Sequence, residues 1–291
     1  MNNSGVLYIL GNGFDLAHGL RTRYQDFKDW LLENCHECFV RRMEALYPSV
    51  VNNNGEWNDI ERALGVFNFE EVTSFDINFT DCGDPEEANL GAGANIKTVT
   101  NVLPILLRNW IETIRFDNVD KKFQLEGNCM IISFNYTQTV EQVYGINSER
   151  VFHIHSSVKE PSKELIIGYR PEDGYDNEVW DTGRTDDNAI RHNLLTNMIK
   201  PFDSLLDLLR RFFPQLSQVS DVRVIGHSCS RIDEPYFMKI ARAIYKDAMW
   251  KFYIYNDNMK GVYESFAKRI TQQCGLKQTY KIKNCKELLV E

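Results

Sequence analysis

The sequence predicts an α/β fold: a mostly parallel, Rossmann-like sheet flanked by helices. Three observations predict it. Val6-Leu7-Tyr8-Ile9-Leu10 is a continuous apolar run, the pattern of a strand buried on both faces. That run breaks at Gly11-Asn12-Gly13, where the backbone can turn sharply and expose its N–H groups. From about residue 129 onward, short apolar runs alternate with helical patterns, as parallel strands with covered faces require.

The elements follow in order. Thr22-Arg23-Tyr24-Gln25 has capping-box form and predicts a helix from near Tyr24. Tyr24, Phe27, Leu31, Cys35, Cys38 and Arg42 continue it at helical spacing as a core-facing stripe. A second helix is expected from Asn58, with Trp57, Ile60, Leu64 and Phe67 on one side. Residues 76–95 are polar and glycine-rich and read as a mobile loop. Val99, Leu103, Leu106, Trp110 and Ile114 mark a further helix that Pro104 should kink. Strands are expected at 129–134, 151–155, 165–167, 222–225, 252–255 and 280–282. Helices are expected at 137–144 (closed by Gly145), 194–213, 235–245 and 262–270, and residues 171–187 read as a lid or flexible loop. The chain thus reads as one α/β domain over residues 1–291, with a mainly helical insertion at about 21–118.

Composition narrows the class. Hydrophobic content of 43% and charged content of 25% are those of an ordinary globular protein. The net charge of −8 and pI near 5.4 argue against a broad grip on nucleic acid. No apolar stretch reaches the roughly 18 residues of a membrane span, and the N-terminus lacks signal-peptide form. Seven cysteines without framework spacing suggest reduced thiols and a cytoplasmic location. Cys35-His36-Glu37-Cys38 has no second half to complete a zinc site, so no metal is expected.

Ligands of open parallel sheets lie beyond the carboxyl ends of the strands. Four predicted strands end there in polar residues: Gly11-Asn12-Gly13-Phe14-Asp15, Ser133-Phe134-Asn135-Tyr136-Thr137, His153-Ile154-His155-Ser156 and Gly226-His227-Ser228, the last followed by Asp233 at a helix start. A glycine loop after the first strand is a phosphate site in many such folds. Here the third glycine of the dinucleotide fingerprint is replaced by Leu16, and the P-loop ending is absent. Asp15 is read either as the N-cap of the next helix or as a contact to a ribose hydroxyl. His153 reads as a satisfied core histidine on the same face as His155, while His18 and His227 are open between ligand contact and loop capping. Asp59 and Glu61 diverge by about 200° on a helix and form no pair. Glu61 is read either as capping with Asn58 or as an inward carboxylate near Arg170 or His155.

These motifs, together with Leu16-Ala17-His18-Gly19-Leu20 and Trp57-Asn58-Asp59-Ile60-Glu61, resemble the AbiH family of bacterial phage abortive-infection proteins. The resemblance spans residues 11 to about 237. More remotely, the order of glycine loop, Asn-Tyr, His and Gly-x-Ser strand ends resembles Sir2-like domains, which bind NAD and in some defence systems cleave it. That resemblance implies NAD as substrate or ligand, with Asn135 and His155 as catalytic residues; Glu61, on its inward reading, is a third candidate. It implies a nucleotide-binding surface of Gly11, Asn12, Gly13, Phe14, Asp15, Tyr136, Gly226, His227, Ser228 and Asp233. Ser156, where Sir2-like domains usually carry Gly, and Asp15, where they commonly carry Ser, depart from the pattern. The leading expectation is a defence protein cleaving the N-glycosidic bond of NAD, triggered by a phage or defence-system protein. The alternatives are a nucleotide or ADP-ribose sensor without turnover and a metal-dependent phosphoester or nucleic-acid hydrolase. Homo-oligomerisation is left open.

Overall fold

The computed structural model describes residues 5–65, 92–160, 162–170, 198–272 and 277–290. The chain divides into two compact units: Met1–Thr22, Thr113–Lys163 and Pro201–Glu291 form one, Arg23–Glu112 and Glu164–Lys200 the other.

The first unit is built on six strands: β1 (Gly5–Leu10), β2 (Met130–Ser133), β3 (Val151–His153), β4 (Val219–Ile225), β5 (Met249–Ile254) and β6 (Thr279–Asn284). They form one sheet in the order β3-β2-β1-β4-β5-β6, with every pairing parallel. The predicted fold class is therefore the observed one. Leu7, Tyr8, Ile9 and Leu10 are wholly inaccessible because side chains alternate across the sheet and both faces are covered. Leu7 and Ile9 enter a core with Phe237, Ile240, Phe266 and Ile270. Tyr8 and Leu10 enter another with Phe14, Phe123 and Val140. Each such large apolar side chain contributes roughly 1.5–3 kcal/mol on burial.

The helices of this unit are α1 (Asn12–Ala17), α6 (Thr139–Tyr144), α7 (Leu205–Phe212), α8 (Glu234–Ala243) and α9 (Lys260–Gln272). Gly145 closes α6 at φ +68°, the left-handed conformation that suits glycine. Helix α7 begins at Leu205, well inside the 194–213 expected from periodicity. Pro201 disfavours a helical conformation at Lys200, and residues 198–200 are not helical, while 194–197 lie outside the described residues. Ile199 forms an isolated parallel bridge with Tyr169.

The second unit holds α2 (Tyr24–Glu33), α3 (Glu37–Leu46), α4 (Ile60–Ala63) and α5 (Ala92–Glu112). The start of α2 matches the expectation, but Arg23 is its N-cap and the Asp26 carboxylate accepts the Arg23 N–H at 2.8 Å. Gln25 instead accepts the Trp57 N–H. The expected stripe through Cys35 and Cys38 breaks, because Cys35 takes a left-handed φ of +62° between α2 and α3 and resets the helical phase. Cys35 is exposed, and Cys38 is disulfide-bonded, which corrects the expectation of core-facing reduced thiols at this pair. Pro104 lies inside the 21-residue α5, where it removes one N–H from the helix ladder. Residues 165–167 join no sheet strand. Of the expected loop at 76–95, Ala92 onward is helical and the remainder lies outside the described residues, as do Phe67 and the 171–187 loop.

Candidate functional site

The strand order makes neighbours of the carboxyl ends of β3, β2, β1 and β4. The chain runs outward in one direction from β1 to β3 and in the other from β4 to β6. The crevice of such a sheet opens at that reversal, between β1 and β4.

There the two loops interlock. The Gly11 N–H donates to the Ile225 carbonyl at 3.1 Å and the Gly13 N–H to the Gly226 carbonyl at 2.7 Å. A Cβ on Gly11 would stand 2.5 Å from His227 Cα, and one on Gly13 2.7 Å from Gly226 Cα. Gly226 itself has φ +66°, and its Cβ would meet the Phe14 nitrogen at 2.1 Å. The glycines are therefore required by contact between loops. Tyr255 donates its hydroxyl to the Gly13 carbonyl at 3.0 Å, and Tyr263 to the His227 carbonyl at 2.6 Å. Asn12 and Ser228 are exposed beside this junction, while the Phe14 ring is buried against His18 and Phe123.

The end of β2 is tied to the same loop. Asn135 donates its amide N–H to the Gly11 carbonyl at 3.1 Å, and its backbone N–H to Ser133 Oγ at 3.1 Å. Asp15 lies inside α1, whose N-cap is Gly11, so it caps no helix. Its Oδ2 accepts the Thr137 hydroxyl at 2.5 Å, and Thr139 donates in turn to Thr137 at 3.1 Å. Burial raises its pKa to about 6 against the opposing hydrogen bonds of Thr137, Thr139 and Asn135 and the charge of His153.

Strand β3 stops at His153, and Ser156 follows with φ +65°, so the two histidines do not share a regular strand face. His153 Nδ1 faces the Asn135 carbonyl and its Nε2 faces Glu141 Oε1, both at 3.0 Å. It is the satisfied histidine the sequence suggests. His155 is buried among the rings of Phe134, Tyr136 and Tyr236, with centroids at 5.4, 6.0 and 5.6 Å. Its Nε2 stands 3.9 Å from Asp233 Oδ1. His227 Nε2 stands 3.4 Å from Asp233 Oδ2, and its Nδ1 accepts the Cys229 N–H at 2.9 Å. Asp15, Asn135, His155, His227 and Asp233 are all less than a tenth exposed. The approach of His155 to Asp233 was not legible in advance: Asp233 and His227 share the segment after β4, but His155 follows β3 and no local spacing relates it to them.

His18 is a fastener. Its Nδ1 meets the Phe14 carbonyl at 2.7 Å and its Nε2 the Tyr144 hydroxyl at 2.9 Å, and burial lowers its pKa. In the second unit, Asp59 rather than Asn58 or Glu61 caps α4, accepting the Arg62 N–H at 3.2 Å. Glu61 pairs with the fully buried ammonium of Lys200 at 2.8 Å, a partner the sequence did not suggest. Among the described residues, no group of three or more His, Cys, Asp or Glu side chains is placed to hold a metal ion. No described helix is long and apolar enough to cross a membrane.

Residues 7–255 match the family model described as Bacteriophage abortive infection AbiH, a span that begins in β1 and ends just past β5. No curated protein and no solved structure matches the chain.

Proposed function

The chain belongs to the AbiH family of bacteriophage abortive infection proteins, and on that premise we propose that its strand-end site hydrolyses the N-glycosidic bond of NAD. One observation carries the reading. Ionisable side chains that follow β3 and β4, His155, His227 and Asp233, are buried close to one another at the carboxyl edge of a parallel sheet, where burial and close partners tune acids and bases. In the proposed reaction a water oxygen attacks C1′ of the nicotinamide ribose. The C1′–N bond breaks, and its electron pair neutralises the nicotinamide ring. The water proton passes to His155 and then to solvent. Asn135, tethered to Gly11, would hold the ribose side of the pocket. The N–H groups of Gly11 and Gly13 are engaged inside the protein. A pyrophosphate would therefore rest beside the exposed Asn12 and Ser228 rather than on those two groups.

Purified protein incubated with NAD should release nicotinamide and ADP-ribose, seen by chromatography. His155→Ala should abolish release with its far-UV circular dichroism unchanged. Intact NAD, both with purified protein and in phage-infected cells, would sink the proposal. A second reading, nucleotide sensing without turnover, is favoured by the internal use of the Gly11 and Gly13 N–H groups. Thermal stabilisation by NAD with no product over hours would select it.

A further inference from the structure

Asn135 is held by bonds from three separate elements. Its backbone N–H donates to Ser133 Oγ of β2 and its amide to the Gly11 carbonyl, each at 3.1 Å. Its backbone carbonyl lies 3.0 Å from Nδ1 of His153, the last residue of β3, and receives a longer bond from Ser133 Oγ at 3.4 Å. A carbonyl oxygen only accepts, so His153 Nδ1 carries a proton and donates it. His153 Nε2 lies 3.0 Å from Oε1 of Glu141, in the first turn of α6. Both of these side chains are only 9% exposed. Glu141 Oε2 is buried and accepts no hydrogen bond among the described residues, a cost that a neutral side chain would largely avoid. Satisfying a core histidine does not by itself require that cost. No described residue donates to Asn135 Oδ1, so that oxygen is the acceptor of the residue left for a ligand.

We propose that His153 and Glu141 are a positioning pair for Asn135: Glu141 fixes the imidazole, the imidazole Nδ1–H fixes the Asn135 carbonyl, and the Asn135 amide is thereby aimed so that Oδ1 accepts a ribose hydroxyl of the nucleotide. The part of this inference that concerns the ribose rests on the glycosidic-bond reading above; the part that concerns the Asn135 amide does not. No bond forms or breaks at His153 or Glu141. Their effect is on the geometry in which Asn135 meets the ribose, and misplacement of such a group slows the chemical step more than it weakens binding.

The test has two arms. In ¹⁵N–¹H spectra of the intact protein, His153 should be protonated at Nδ1, with a scalar coupling across the hydrogen bond to the Asn135 carbonyl carbon. His153→Leu removes the donor at similar volume, whereas His153→Asn places an amide N–H where the Nδ1–H stood. In His153→Leu the Asn135 side-chain amide protons should exchange with solvent about tenfold faster, and in His153→Asn they should exchange at nearly the original rate. A His153 protonated at Nε2 alone, or an Asn135 amide unaffected by His153→Leu, overturns the proposal. If His153→Leu does not fold, Glu141→Ala takes its place, with Glu141→Gln as the variant that keeps a hydrogen bond to Nε2. In the kinetic arm, His153→Leu should lower kcat for nicotinamide release about a hundredfold with KM changed less than about threefold, and His153→Asn should recover most of that loss. An unchanged kcat in His153→Leu, or a loss that His153→Asn does not recover, also overturns it. If the unmodified protein releases no nicotinamide, the glycosidic-bond reading fails, and the spectra alone decide whether the pair holds Asn135.

Discussion

Enclosing Asp15 within α1 strips water from its carboxylate, and the bond from Thr137 offsets only part of that loss. The group therefore titrates near 6 in the folded protein, against 3.8 as an isolated side chain. As pH rises from about 4 to 6, the unfolded chain loses this proton before the folded one does. Ionisation then costs the native state stability, and the cost is complete above about pH 6. A difference of about two pKa units corresponds to roughly 3 kcal/mol. Asparagine at this position keeps an acceptor for the Thr137 hydroxyl but cannot ionise. Asp15→Asn should thus gain up to about 3 kcal/mol over the parent near pH 7.5 and nothing near pH 4, read by urea unfolding at both. An equal difference at the two pH values would refute the account. The sequence left Asp15 between a helix cap and a ribose contact because its partner, Thr137, lies 122 residues away. His153 was easier to read, since a histidine inside an apolar strand must find internal acceptors, and it does.

At the level of elements, the six sheet strands were legible and their ends less so, while the short apolar run at 165–167 joins no sheet strand. Runs such as Val6–Leu10 and 222–225 are apolar because both faces of a parallel sheet are covered, and that signal survives without knowledge of neighbours. Helical periodicity overreached where a single backbone feature interrupts it: Pro201 before α7, and the left-handed Cys35 between α2 and α3. The Gly11-Asn12-Gly13 loop was legible as a turn, but its closest partner was not. Its glycines admit the backbone of Gly226 and His227, so the two loops form one unit of backbone contact. Gly226→Ala places a methyl group 2.1 Å from the Phe14 nitrogen while holding a left-handed φ, so backbone must move on both loops. The expected loss is more than about 2 kcal/mol, with ligand binding weakened in parallel, because Asn135 is anchored to the Gly11 carbonyl. A melting temperature within a degree or so of the parent would show that the loops are not interlocked. Gly145→Ala, also left-handed but with open space around it, is the control for strain alone and should cost only about 1 kcal/mol.

At the scale of the whole molecule, strand order is what turns scattered residues into a site. Residues near positions 11, 135, 155 and 227 are remote in sequence, yet order β3-β2-β1-β4 lines up their strand ends on one edge. Alternating strands and helices implied a parallel sheet, but not which strand lies beside which, so the contents of the edge were foreseeable and the His155–Asp233–His227 convergence was not. The hydrolase and sensor readings share this edge and differ only in what happens to the bound nucleotide. Linkage separates them, because a ligand that binds only the folded state stabilises it in proportion to occupancy. At a concentration about a hundred times its dissociation constant, ADP-ribose should add about 2.7 kcal/mol, a rise of several degrees in melting temperature. Under the hydrolase reading, NAD should stabilise His155→Ala persistently, whereas with the unmodified protein the NAD signal should give way to that of ADP-ribose as substrate is consumed. Under the sensor reading, NAD should stabilise both proteins without decay. If neither compound moves the melting temperature of either protein, the edge does not bind this class of nucleotide, and both readings fall together.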